Sequence, residues 1–213
     1  MLISSRLLLF CTVFIAVLTG PAAAQAIVIN EIHYDPDIKT ELVEFVELYN
    51  TETVDIDLSG WHLTGGISYE FGAGSILRAG DYIIVAQNPD HIYAKWNIGR
   101  LGIPADLVYG PFEGRLENNG ETIRLRNAEG DVIDRVDYQL GFPWPTVGDA
   151  VPESQPGTGN SIQLVNPFLD NDLSGSWRSS DPTPAAFNQD VYLENTPPHI
   201  RQVKHTPKQP MSQ

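Results

Sequence analysis

From residue 27 onward, apolar and polar residues alternate in short runs, and Gly, Pro, Asn and Asp separate these runs at regular intervals. Side chains along a strand point alternately to its two faces, so a period of two predicts strands with one buried face. Eight short runs favour an antiparallel β-sandwich over alternating strands and helices. The predicted strands cover residues 27–34, 42–49, 60–64, 67–71, 81–86, 121–126, 132–138 and 161–165.

The stretch at residues 41–61 contains the most informative local pattern. Its strand places Phe45, Glu47 and Tyr49 on one face. A polar turn and a tight Asp/Ser/Gly turn then lead to Trp61. An indole can be buried if its N–H finds a carbonyl. We therefore predict that Trp61 fills the centre of the sandwich.

One helix is predicted, at residues 88–96. Asn88 can cap its N-terminus, and Pro89 suits the first helical position because the missing N–H has no partner there. Ile92 and Trp96 are four residues apart and would lie on one face. We expect this helix to cover part of the sandwich.

The first 24 residues have the composition of a secretory signal peptide. Arg6 precedes an apolar run at residues 7–18, and three alanines at 22–24 form a small-residue cleavage site. The run has about a dozen residues, which is fewer than the roughly 20 needed to span a bilayer. We predict export to the periplasm, the cell surface or the medium, with no membrane span after cleavage. The only cysteine, Cys11, lies in this segment, so the mature chain would fold without disulfides.

Charge is distributed unevenly along the chain. Residues 25–194 contain nine basic and 27 acidic residues, a formal charge of −18, whereas residues 195–213 contain three basic residues and no acid. A surface this negative repels phosphate backbones, so direct nucleic-acid binding is not expected. We predict a domain at residues 27–190, and a linker with the truncated start of a further module at residues 191–213.

Six segments together resemble the core of a bacterial lamin-tail domain. They are INEI at 29–32, EFVELYN at 44–50, LSGW at 58–61, LRAGDY at 77–82, LENNGETIRL at 116–125 and the strand at 132–138. The resemblance covers residues 27–188. It implies an all-β, immunoglobulin-like antiparallel β-sandwich with no catalytic activity of its own. It also implies export and a position beside other modules, such as an immunoglobulin-like one, in adhesion or anchoring.

Three carboxylates fall on predicted strand faces that are otherwise apolar. They are Glu31, Glu47 and Asp134. A buried carboxylate must be hydrogen-bonded or paired, so the simplest interpretation is that each accepts hydrogen bonds where strands cross. The alternative is a cation site, because Ca²⁺ takes clustered oxygen ligands. The sequence leaves open whether a cation binds near these residues.

Other motifs give no site. The five histidines have no metal-ligand spacing and no HExxH motif occurs. The oxygen-rich segments at 35–37 and 170–172 are typical of Asx turns. The glycines at 157–159 lack the lysine of a phosphate loop, and no GxSxG motif occurs. We therefore predict no catalytic, metal or cofactor-binding residues.

The function predicted from these patterns is a non-catalytic surface module that binds a protein or an envelope component. The first alternative is a carbohydrate-binding sandwich, in which Trp144, between two prolines in the loop at residues 141–159, is the tryptophan expected to be most exposed. The second is a metal-dependent hydrolase or an accessory domain of one. The partner, an unknown protein or a surface glycan, and the oligomeric state are left open.

Overall fold

The structure is a computed structural model that describes residues 26–96, 105–145 and 159–194. Within these ranges the chain forms one α-helix, two short 3-10 helices and a series of strands. In chain order the elements are β1 (Ile27–His33), β2 (Phe45–Asn50), β3 (Ile56–Asp57), β4 (His62–Thr64), β5 (Ile67–Glu70), β6 (Ile76–Leu77), β7 (Tyr82–Ala86), α1 (Pro89–Trp96), β8 (Val108–Tyr109), β9 (Glu113–Gly114), β10 (Gly120–Arg126), β11 (Val132–Gln139), β12 (Ser161–Leu164) and β13 (Trp177–Ser180). The 3-10 helices span Ala105–Leu107 and Ser174–Ser176.

Two sheets carry the architecture. The first has six strands in the order β13-β12-β1-β2-β7-β8, and the second has five in the order β11-β10-β4-β5-β9. Strands β3 and β6 form a separate two-stranded ribbon. Apolar side chains from both sheets, among them Ile32, Val46 and Leu48 of the first and Leu63 and Ile123 of the second, form one buried cluster. The two sheets therefore pack face to face as a sandwich, because each has an apolar face that must be removed from water.

The predicted strands are confirmed to within three residues at each end. The hairpin of β10 and β11 pairs Ile123 with Val136, and its loop contains Gly130 at a φ of 89°, a conformation that glycine adopts without steric cost. The structure departs from the antiparallel prediction at one edge, where β7 and β8 pair in parallel. The two-residue strands β3, β6, β8 and β9 were not predicted, because they are too short to show any periodicity.

The six-stranded sheet has a second, outer face that is covered by two elements. At one end lies α1, whose Asn88 cap accepts the backbone N–H of Asp90 at 3.0 Å, as predicted. Ile92 of this helix is buried against Phe45 and Ile84. An irregular segment, residues 181–194, crosses the rest of this outer face, and we call it the strap.

Two predictions about tryptophans were wrong. Trp61 is only half-buried and packs at the margin of the core, because the turn at Gly60 directs Leu58, which is fully buried, into the interior. Trp144 is buried with 7% of its surface exposed, and its ring lies 6.3 Å from that of Trp177. The fully buried indole is Trp177, whose Nε1–H donates to the carbonyl of Asn171 at 2.7 Å.

Predictions for residues 1–24, for most of the loop at 141–159 and for the segment after residue 194 fall outside the described residues. Across the described ranges, no helix combines the length and the apolar character required to cross a bilayer.

Candidate binding surface

Glu31 and Glu47 are side by side on the outer face of the six-stranded sheet. They are paired in register between β1 and β2, and both side chains are completely buried. Glu31 accepts hydrogen bonds from the hydroxyl of Ser161 at 2.5 Å and from the backbone N–H and hydroxyl of Thr183 at 3.0 and 2.8 Å. Glu47 accepts the amide of Asn30 at 2.8 Å and the backbone N–H of Ala185 at 2.6 Å. The pair therefore holds the strap onto the sheet.

Glu31 and Glu47 are both acids, so their side chains repel each other when both are ionised. No Lys, Arg or His in the described ranges forms an ion pair with either carboxyl. Burial raises the pKa of Glu31 to about 7, and the hydrogen bonds from Ser161 and Thr183 partly oppose this shift. Burial, and then the neighbouring charge of Glu31, raises the pKa of Glu47 well above its usual value. Two adjacent buried carboxyls favour states in which at least one is protonated.

Asp134 lies elsewhere, where β11 meets β1 at the edge of the sandwich. Its Oδ2 atom accepts the backbone N–H of Ile29 at 2.6 Å and the amide of Asn171 at 2.7 Å. The ladder between β1 and β2 shifts register directly after Ile29. Asp134 thus satisfies a backbone donor beside an irregularity in β1.

All three carboxylates accept hydrogen bonds, as in the simpler sequence interpretation, but Glu31 and Glu47 bond to the strap and to neighbouring strands of their own sheet rather than at strand crossings. Glu31 and Glu47 are neighbours on adjacent strands, whereas Asp134 lies at a different place and bonds Ile29 and Asn171. No group of three or more His, Cys, Asp or Glu side chains that could hold a metal ion occurs among the described residues.

The two oxygen-rich segments differ from each other. Asp170 accepts the backbone N–H of Asp172 at 3.2 Å, which is the predicted Asx turn. Asp35 instead pairs with Lys39 and accepts the amide of Asn118 at 2.9 Å. This second segment therefore serves to tie separate loops together through side-chain bonds.

A polar cavity of about 410 Å³ lies beside Asp35. Glu44 in its wall accepts the backbone N–H of Leu116 at 2.9 Å, and burial raises its pKa to about 7. Lys39 and Arg115 also line the cavity. Glu44 and Asp35, two of the acids among the described residues that line this cavity, therefore already have protein partners.

A second cavity, of about 120 Å³, is lined by aromatic side chains. We call it the aromatic slot; the aromatic residues that line it are Tyr49, Tyr82, Phe168, Phe187 and Tyr192. Phe168, Phe187 and Tyr192 have 66%, 48% and 38% of their surfaces exposed. Three of its aromatic side chains are therefore exposed to solvent, and two of these, Phe187 and Tyr192, belong to the strap.

The aromatic slot was not among the sequence-based predictions. Tyr49 and Tyr82 lie in predicted strands, whereas Phe168, Phe187 and Tyr192 lie in irregular segments later in the chain. In the sequence, the slot is indicated only by aromatic residues outside the periodic runs. Their positions do not predict which of them come into contact.

The comparisons with known proteins agree with this architecture. The sequence model of the Lamin Tail Domain family matches residues 20–139, which is more than half of the chain. A search of curated proteins gave no significant match. The match covers β1 to β11, and β12, β13 and the strap continue the fold beyond it. A mostly antiparallel sandwich with one short helix is the immunoglobulin-like architecture of this non-catalytic domain family, and the chain belongs to the lamin tail domain family.

Proposed function

We propose that this chain is an exported, non-catalytic β-sandwich module that binds a protein or envelope partner through the aromatic slot, in an adhesion or anchoring role. The composition of residues 1–24, which is that of a secretory signal peptide, supports export.

The exposed aromatic cluster is the observation that carries this function. Large aromatic side chains in irregular segments are normally covered, because leaving them in water forfeits their burial energy. Here Phe168 and Phe187 stand exposed at the mouth of one cavity. Clustered exposed aromatics around a pocket are typical of protein interaction sites, where such residues act as anchors.

The charge of the domain narrows the class of partner. At −18 over residues 25–194, the exterior opposes nucleic acids and anionic lipid surfaces. Neutral or basic partners remain compatible with it. This supports a protein or a neutral glycan as the ligand.

Carbohydrate binding is the second candidate. Trp144 no longer supports it, because this side chain is buried against Trp177. The aromatic slot supports it instead, since sugar rings stack on exposed aromatic faces. For the metal-dependent hydrolase hypothesis, the described residues contain no group of three or more potential metal ligands.

The test uses a variant of the slot that should leave the fold intact. We expect Phe168→Ser combined with Phe187→Ser to weaken saturable binding of the labelled chain to envelope fractions of the producing cells by about tenfold. Phe142→Ser is the matched control, because Phe142 is completely exposed and does not line the slot. Equal binding by all three proteins would refute a role for the slot. A glycan array probed with the same proteins separates the two candidate ligands.

A further inference from the structure

We propose that the aromatic slot takes a proline-rich protein segment in the polyproline II conformation, with Lys or Arg beside the prolines. This inference rests on the proposed function, because it names the chemistry of the partner for the same surface. Three properties of the slot support it: its shape, its hydrogen-bonding groups and its charge.

The shape of the slot suits a small rigid ring. The rings of Tyr49 and Tyr82 stack with centroids 4.6 Å apart, and those of Phe187 and Tyr192 lie 4.8 Å apart with planes inclined by 56°. Between these pairs the cavity of about 120 Å³ has the size of a single side chain. Polyproline segments dock in grooves lined by aromatic rings, because they are already extended and lose little entropy on binding.

The side-chain amide nitrogens that line the slot are already hydrogen-bonded within the protein. The amide nitrogen of Asn188 donates to the carbonyls of Asn30 and Leu164 at 3.2 and 3.1 Å, and its Oδ1 atom lies 3.0 Å from the hydroxyl oxygen of Thr183, which Glu31 also contacts. The amide nitrogen of Asn30 donates to Glu47. A sugar needs several directional bonds, which these amides no longer offer. A proline ring needs none and carries no N–H to satisfy.

Two donors are left at the slot for a different kind of acceptor. The hydroxyls of Tyr49 and Tyr82 make no hydrogen bond to any residue that the structure describes, and both rings line the cavity. A polyproline segment has no internal hydrogen bonds, so its backbone carbonyls need donors from outside. The two phenols can supply them.

The charge near the slot explains the preference for basic residues. Asp190 and Glu194 are exposed in the strap on either side of Tyr192, and Asp81 adjoins Tyr82. No Lys or Arg is among the described residues that line the slot. A partner with Lys or Arg next to its prolines would gain from these acids in rate of association and in specificity.

Three synthetic peptides test this chemistry directly. Fluorescein-labelled repeats of Pro-Pro-Lys, Pro-Pro-Glu and Gly-Gly-Lys, of equal length, would be titrated with the purified full chain and followed by fluorescence anisotropy. We expect the Pro-Pro-Lys peptide to bind about tenfold more tightly than either of the others, since each of those lacks one of the two recognised features. Added salt should weaken binding of the Pro-Pro-Lys peptide several-fold, because the flanking charges are exposed.

Variants then assign the binding to the slot. Phe187→Ser should weaken the Pro-Pro-Lys complex about tenfold and Tyr82→Phe about threefold, since the latter removes only a hydroxyl donor. Phe142→Ser should leave it unchanged. Circular dichroism melting curves would show that each variant is folded.

The outcomes separate this inference from the proposed function. Equal affinity for Pro-Pro-Lys and Gly-Gly-Lys, or Pro-Pro-Lys binding that Phe187→Ser does not weaken, would overturn the polyproline assignment. If envelope binding still depended on Phe168 and Phe187, the proposed function would stand without it. Binding of a neutral oligosaccharide that Phe187→Ser abolishes would overturn the peptide in favour of a glycan.

Discussion

The two faces of the six-stranded sheet are covered in different ways. The inner face packs against the second sheet through apolar side chains, with Asp134 at its margin. The outer face carries a buried polar layer beneath the strap, including Glu31, Glu47 and Gln163. A sheet can pack against another sheet through apolar side chains alone. An irregular segment that covers a sheet has backbone N–H groups without partners of their own, and these need acceptors. The carboxyl pair provides those acceptors, and this makes the outer face sensitive to pH.

The largest effect should come from the inner face. We expect Trp177→Ala to lower the free energy of unfolding by about 3–5 kcal/mol, because it opens a cavity in the core and removes a buried hydrogen bond. Trp61→Ala should cost about 1 kcal/mol, because Trp61 is half-buried at the margin. Urea denaturation of both variants measures the difference. Equal losses would show that the core extends as far as Trp61.

Asp134 tests whether a lone carboxylate at the edge of the inner face is structural. Asp134→Ala leaves the N–H of Ile29 without its side-chain acceptor and removes the shorter of the two bonds that the amide of Asn171 donates. We expect a loss of about 2–4 kcal/mol in unfolding free energy. Asp134→Asn retains one carbonyl oxygen and should lose less. A neutral result for Asp134→Ala would mean that water replaces the carboxylate there.

The outer face should lose stability as pH rises. Because the pKa values of Glu31 and Glu47 are raised in the folded state, that state binds more protons than the unfolded chain above about pH 4.5. The unfolding free energy contributed by the pair is therefore full below that pH and declines up to the folded pKa, which is about 7 for Glu31. We expect a fall of about 1–3 kcal/mol between mildly acidic and neutral pH, measured by urea denaturation across this range.

Substitutions separate the pair from other titrating groups. Glu47→Gln should flatten the pH profile, since it removes the second charge and keeps a carbonyl acceptor for the strap. Glu44, whose pKa is also raised to about 7, contributes a fall of the same sign, so Glu44→Gln is the comparison. Burial lowers the pKa of His33, which gives an opposite slope below its usual value of 6.5. A wild-type profile that Glu47→Gln leaves unchanged would assign the pH dependence to these other groups.

The smallest effect should come from the strap itself. Thr183→Val removes the hydroxyl that donates to Glu31 but keeps the backbone N–H bond. We expect a loss of about 1 kcal/mol and faster hydrogen exchange at the amide of Ala185, with core strands unaffected. Protection that falls equally in β2 and in the strap would show that the two unfold together.

The sequence predicted the strands, the helix and the family because these depend on local patterns. Period-two alternation identifies strands wherever they occur, and Asn88 with Pro89 starts a helix from its own chemistry. The same reasoning failed for Trp61 and Trp144. Whether an indole is buried depends on the direction of a turn and on distant neighbours such as Trp177.

By itself, the sequence determined that residues 25–213 contain no cysteine, that residues 25–194 have a formal charge of −18, and that the chain folds as a lamin-tail β-sandwich with three carboxylates in its strands. Only the tertiary structure decided that Glu31 meets Glu47, that Asp134 stands apart, and that aromatic residues from two strands and two irregular segments converge on one slot. Alternation places a residue on a face of its own strand. It contains no information about which strand or segment lies opposite, and binding chemistry depends on that pairing.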